Sequence, residues 1–178
     1  MNTILIQTII VLLFSALFSG LEIAFVSSNK LRFEMDREEQ GLSARIIDIF
    51  YRHPNHFIST MLVGNNIALV IYGILMAQLI DGLLLEPIGL YPSGKDGAGE
   101  VARLLIQTGL STLIVLITGE FLPKTLFRLN PNRMLRIFSL PAFLVYIILW
   151  PISKFASALS KSILFVFGMK VKKQDHEK

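Results

Sequence analysis

Three apolar runs of membrane-crossing length set the pattern of the chain. Ile4 to Val26 is nearly unbroken, and at ~1.5 Å of helical rise per residue it covers a hydrocarbon core of ~30 Å. Phe57 to Leu85 and Val101 to Phe127 are two further runs, each interrupted by a few polar residues. A fourth apolar stretch, Ser139 to Phe167, differs in its second half. There Ser153, Lys154, Ser157, Ser160 and Lys161 recur at helical spacing opposite Ile152, Phe155, Leu159 and Ile163. Crossing at this stretch would also carry Lys170, Lys172, Lys173 and Lys178 to the outer side. The pattern therefore predicts an amphipathic helix lying in the inner interface, bent at Pro141 and Pro151, rather than a fourth span. Between the first two spans, Leu31 to Glu39 and Leu42 to Tyr51 read as short helices on either side of Gly41, with Ile46, Ile47 and Phe50 giving the second an apolar side. The fold class expected is an all-α integral membrane protein, with three transmembrane helices plus cytoplasmic juxtamembrane and amphipathic helices.

Composition agrees with this pattern. Of 178 residues 53% are hydrophobic and 17% charged, with a mean hydropathy of +0.60, too apolar for a soluble domain of this length. A net charge of +4 would suggest nucleic acid in a soluble protein, but the basic residues cluster beside the apolar runs, which points to anionic lipid headgroups and to a bilayer as the partner. Lys30, Arg32, Arg37, Arg45 and Arg52 fill the first connection, whereas Glu86 to Glu100 has Lys95 alone. The positive-inside bias then places the first connection in the cytoplasm and the N-terminus outside, with Lys124, Arg128, Arg133 and Arg136 following the third span on the inner side. The C-terminus is expected in the cytoplasm. The start of the chain lacks a basic leader and a small-residue cleavage site, so it reads as a retained first span. Residues 1–168 form the transmembrane domain, with the juxtamembrane helix from about 130, and 169–178 read as a charged tail at which further domains were cut away.

Without cysteine there is neither a thiol nucleophile nor a cysteine zinc site. His53 and His56 flank a Pro-Asn turn in a basic loop and have no third ligand, so they read as interfacial residues. No hydrolase elbow, zincin helix or dinucleotide fingerprint occurs, and no enzymatic activity is expected. Attention shifts to the polar groups inside the spans, where an ionisable residue costs roughly 2.5–3.5 kcal/mol unless it is paired or functional.

Glu120 is foremost among them. A structural reading pairs it with Lys124 at i+4. A functional reading starts from Pro123, which has no N–H and so leaves the carbonyl of Gly119 without its helical partner. A carboxylate and a freed backbone oxygen at one depth suit a small, hard cation. In the second span Gly64, Asn65 and Asn66 interrupt the apolar run, offering oxygen donors and either close backbone approach or a helix break, against a plain role in interhelical hydrogen bonding. In the first, Ser15, Ser19 and Glu22 fall on one helix face, although a serine in a span commonly bonds its own i−4 carbonyl. Ser19, Asn65 and Glu120 each sit roughly 10–15 Å from the expected inner boundary, so three spans bring oxygen donors to one level. Ala16, Gly20 and Ala24 form a neighbouring stripe of small residues, suited to close packing within one subunit or to a dimer contact.

Taken together, SALFSGLEIAF in the first span, MLVGNN in the second and TGEFLPK in the third resemble the transmembrane domain, also called domain of unknown function 21, of bacterial CorC proteins and animal cyclin M transporters. The resemblance spans Ser15 to Lys124. It implies three spans with a juxtamembrane helix, a homodimer, a plasma (inner) membrane location, and export of Mg²⁺ with Na⁺ as the exchanged ion. Carried over by position, the metal-binding set is Ser15, Ser19, Gly64, Asn65, Gly119 and Glu120, with Glu22, Asn66, Pro123 and Lys124 as accessories. Leu21 departs from the small polar residue many bacterial members have there, which leaves it no ligand role. The family's nucleotide-binding regulatory modules are absent from the sequence. The competing reading is a membrane Mg²⁺ sensor or anchor that signals to cytoplasmic modules without moving ions.

Overall fold

The computed structural model describes residues 2–35, 41–85 and 97–166. The described residues are helical throughout, apart from short breaks at helix junctions, and contain no strand. Helix α1 (Asn2–Ser27) is the first span. Two short helices follow, α2 (Lys30–Met35) and α3 (Gly41–Arg52). Gly41 opens α3 at φ +52°, a backbone conformation that glycine adopts without a side-chain clash. The second span is α4 (Pro54–Ile80), extended by a π-helical turn over Asp81–Leu85. The third is built from α5 (Gly97–Val115), a π-helical segment over Leu116–Phe121, and α6 (Leu122–Leu129). Then come α7 (Pro131–Ile137) and α8 (Ser139–Val166). Three helical stretches, Asn2–Ser27, Pro54–Leu83 and Gly99–Leu129, are long and apolar enough to cross a membrane.

Gly64 and the two asparagines leave α4 unbroken. A Cβ on Gly64 would stand 2.9 Å from both the Phe18 ring and a Leu149 methyl, so of the two uses open to this glycine the fold takes close approach. Gly20 serves α1 in the same way. A Cβ there would lie 2.6 Å from the Phe127 ring, and the small-residue stripe of α1 thus seats the third span of the same chain. Inside a bilayer burial itself supplies little drive for helix association, and such close van der Waals contact takes its place.

The ends of the first two spans nearest α3 are held by aromatic side chains. Phe25 lies with ring centroids 4.7 Å from Phe57 and 5.2 Å from Tyr51, Phe50 lies 4.3 Å from Phe57, and Tyr146 lies 5.6 Å from Phe50. This cluster joins α1, α3, α4 and α8, each pair adding about 0.5–1.5 kcal/mol beyond the area it buries. Ile46, Ile47 and Phe50 are buried, so the apolar side expected of α3 is the side it packs with. Toward the other end, three polar contacts join α4 to α5. The Tyr72 hydroxyl donates to the Ser111 carbonyl at 3.1 Å, Gln107 Nε2 donates to the Ala77 carbonyl, and Arg103 pairs with Asp81 through both carboxylate oxygens.

One sequence expectation for α8, the bends at Pro141 and Pro151, is corrected. The helix runs unbroken through Pro151, and Pro141 falls in its first turn, where no N–H is needed. The bend, 70° between α7 and α8, comes at Phe138. Of the expected polar stripe only Ser153 and Lys154 have described side chains, and they differ: Lys154 is exposed. Ser153 is fully buried, with its hydroxyl 3.5 Å from His56 Nδ1, whereas Ile152 and Phe155 point outward at 47% and 72% exposure. The side chains of Ser157, Ser160, Lys161 and Ile163, the 86–96 connection and the tail from 167 lie outside the described residues. His56 belongs to this contact as well, its ring stacked on Trp150 at 6.0 Å and 6°, with Lys154 Nζ 3.9 Å from the centre of the Trp150 ring. The ring contacts place the histidine between α4 and α8, and its Nε2 is buried with no hydrogen-bond partner.

Candidate functional site

Three of the candidate residues, Ser15, Asn65 and Gly119, meet where α1, α4 and the π-helical segment of the third span come together. Ser15 and Ser19 lie one turn apart on α1 and both are fully buried. Ser15 Oγ donates to Asn65 Oδ1 at 2.7 Å, a buried bond between the first and second spans. The third span closes on the same hydroxyl. A Cβ at Gly119 would lie 3.2 Å from Ser15 Oγ, tighter than an ordinary contact, so only a residue without a side chain fits there comfortably. The three spans therefore touch at this point, and it is Ser15 rather than Ser19 that meets Asn65.

Ser19 is placed differently. Thr8, Thr60, Thr118, Thr125 and Ser162 each return their hydroxyl to the carbonyl four residues earlier, the habit of such residues in apolar helices. Ser19 does not, and its Oγ is buried with no hydrogen-bond partner. An orphaned buried hydroxyl costs about 1–3 kcal/mol, so its retention there calls for a ligand or a solvent molecule.

The π-helical segment sets the third side. In it a backbone N–H reaches five residues back, as Leu122 does to the Ile117 carbonyl. Each such turn holds one residue more than an α-turn and rotates the following side chains around the axis. Pro123 at the second position of α6 has no N–H to give to the turn before it. Sequence reasoning counted an α-turn here and did not see the π geometry, because an apolar run with a proline has the same pattern in either case. Glu120 is half-buried and, among the described residues, makes neither a hydrogen bond nor an ion pair; Lys124, also half-buried, is not within salt-bridge distance. Glu22, one turn from Ser19, is half-buried and likewise unpaired. Pro123 is buried, whereas Asn66 is exposed and lies outside the cluster.

Among the described residues no group of three or more His, Cys, Asp or Glu converges to hold a metal. What the structure offers is neutral oxygen, from Ser15 and Asn65 and from the unpartnered Ser19 hydroxyl one turn along α1, with half-buried Glu120 next to Gly119 in the chain. Soft or borderline metals favour thiolate and imidazole, so this donor set suits a hard cation that retains part of its water shell.

The Ser15–Asn65 bond gives a stability prediction. Asn65→Leu should lower the unfolding free energy by about 1–3 kcal/mol, because it strands the Ser15 hydroxyl in a dry interface. Ser15→Ala combined with Asn65→Leu should recover much of that loss, and unfolding in detergent for the two single variants and the double measures the coupling.

Residues 6–178 match the family described as the cyclin M transmembrane N-terminal domain. The chain belongs to this family. Its relatives include the UPF0053 inner membrane protein YfjD of Escherichia coli, 27% identical over 156 residues and matched over 88% of this chain and 33% of that protein. A UPF0053 protein of Mycoplasma genitalium is 30% identical over 164 residues, 89% of this chain and 36% of the relative. One of Haemophilus influenzae is 25% identical over 174 residues, 98% and 38%. The chain spans about a third of the length of these relatives. Family membership and the three spans together make it a multi-pass membrane domain of the cyclin M type.

Proposed function

We propose that this cyclin M domain is the membrane-crossing part of a Mg²⁺ transporter, with Mg²⁺ as the ion carried and the Ser15–Ser19–Asn65–Gly119–Glu120 cluster as its site. Ser19 is the observation that supports this most. A serine that could bond its own helix and does not, buried one turn along α1 from the Ser15–Asn65 contact, is a free oxygen donor inside the membrane-crossing helices. Mg²⁺ sheds water reluctantly, and neutral oxygens with one carboxylate fit an ion that arrives partly hydrated. The finer parts of the proposal are export as the direction, Na⁺ as the exchanged ion, a homodimer as the working unit, an outward N-terminus with a cytoplasmic C-terminus, and no enzymatic turnover.

Flux tests the proposal. Proteoliposomes holding the purified chain should pass Mg²⁺ faster than empty liposomes, and an opposing Na⁺ gradient should speed it further. Ser19→Ala, which removes one oxygen contact of about 1.4 kcal/mol, should weaken the apparent Mg²⁺ affinity about tenfold. Mg²⁺ binding without any flux above the empty-liposome rate would instead support a sensor or anchor.

A further inference from the structure

A second surface, separate from the cation cluster, combines an apolar groove with a run of unopposed positive charge. The groove has a volume of about 480 Å³ and runs along α1 past Ile10, Leu13 and Leu17 to a floor made by Phe127 and Phe138, whose rings stack at 5.2 Å. Those two aromatic residues bracket the junction of α6, α7 and α8. Arg128 follows the first, and Arg133 and Arg136 precede the second. All three arginines are exposed, and none makes a salt bridge among the described residues. Arg133 and Arg136 are spaced i, i+3, on one face of α7, while Leu135 is buried on the other at 1% exposure. Leu126, Leu129, Ile137 and Leu140 beside them are exposed as well. Long apolar side chains interleaved with cations mark a segment whose stems lie in the acyl layer and whose charges reach the headgroups.

Charge along the sequence makes the bias one-sided. From Phe121 to Gln174 there are nine Lys and Arg residues and no Asp or Glu. A neutral zwitterionic headgroup would leave that charge uncompensated, whereas an anionic one neutralises it.

We propose that this surface binds an anionic phospholipid, one acyl chain lying in the groove against Phe127 and Phe138 and the phosphate held among Arg128, Arg133 and Arg136. The site is independent of the cation cluster, although it shares a wall with it. Phe127 packs on Gly20, the residue next to Ser19, so a chain seated in the groove braces the α1–α6 contact.

Native mass spectrometry of the purified chain, equilibrated with mixed micelles of phosphatidylglycerol and phosphatidylcholine, tests this. Phosphatidylglycerol should be retained in preference, and each Arg→Gln change at 128, 133 or 136 should lower that preference about fivefold, the equivalent of about 1 kcal/mol per cation near an anionic surface. Arg→Lys changes at the same positions should keep most of it. Phe138→Ala should weaken retention of both lipids and leave the preference standing. Equal retention of the two lipids by the unaltered chain would overturn the proposal, as would a preference unmoved by the triple Arg→Gln variant. Displacement of the lipid by inorganic phosphate would make this a free-anion site instead. A lipid-free dimer that separates on Phe138→Ala would make the groove a contact between two copies, and the lipid assignment would fall.

Discussion

Glu120→Gln is expected to abolish measurable Mg²⁺ flux while leaving the fold intact. The substitution keeps the shape of the side chain and removes its charge, and Glu120 has no ion pair or hydrogen bond among the described residues whose loss would unfold the domain. What it removes is the single carboxylate at the level of the π-helical segment. At an effective dielectric near 20, unit charges about 4 Å apart interact by about 4 kcal/mol, and a divalent ion feels twice that before its own dehydration is counted. Even a third of this is a loss of roughly a hundredfold in affinity. Stability should move the other way or stay level, since an unpaired carboxylate within a span costs roughly 2.5–3.5 kcal/mol and its amide less. A flux assay on the variant, with unfolding in detergent beside it, separates the two effects. Unchanged flux would remove Glu120 from the transport path, and lost flux with lost stability would assign it to the fold instead.

Gly20→Leu carries the largest expected structural effect. In an isolated helix the change would help by about 0.8–1 kcal/mol. Here the first added carbon already meets Cγ, Cδ2 and Cε2 of Phe127 at 2.6–2.8 Å, the near side of a ring rather than the tip of a flexible chain. Overpacking of this kind costs typically 1–3 kcal/mol and outweighs the propensity gain. It should also push the third span from the first and draw Gly119 away from Ser15, so flux should fall along with stability. Phe127→Ala in the Gly20→Leu background makes room and should restore at least half of the lost stability. Unfolding measured for both singles and the double decides this, and a neutral Gly20→Leu would mean that α1 and α6 do not meet there.

Much of this was legible in the sequence, and the reason lies in the solvent. A bilayer forces its spans to be continuous apolar helices, so Ile4–Val26, Phe57–Leu85 and Val101–Phe127 stand out and lie close to the helices observed. Polar residues inside such runs are so costly that Ser15, Asn65 and Glu120 draw notice as readily as a motif would. What the pattern could not show was pairing across helices. Depth counting put Ser19 beside Asn65, and the structure brings Ser15 there, because one turn of error in an assumed boundary shifts a partner by four residues. The same limit applies to α8. Ser153 read as part of a solvated face, yet it is buried where His56 offers it a partner, while Lys154 beside it is exposed. Polarity marks the outside only when the outside is water. Gln107, Tyr72 and Arg103 were passed over for a related reason, since each reads as an isolated polar residue until the Ala77 carbonyl, the Ser111 carbonyl or Asp81 is set opposite it.

The position of bound Mg²⁺ tests the central claim most directly. A structure determined at saturating Mg²⁺, compared with one in chelator, should show density for a partly hydrated ion between α1, α4 and the π-helical segment, within direct or one-water reach of Ser19 Oγ, Asn65, the Gly119 carbonyl and Glu120. Absence of ion density there in both conditions, with Glu120 paired to Lys124, would contradict the account.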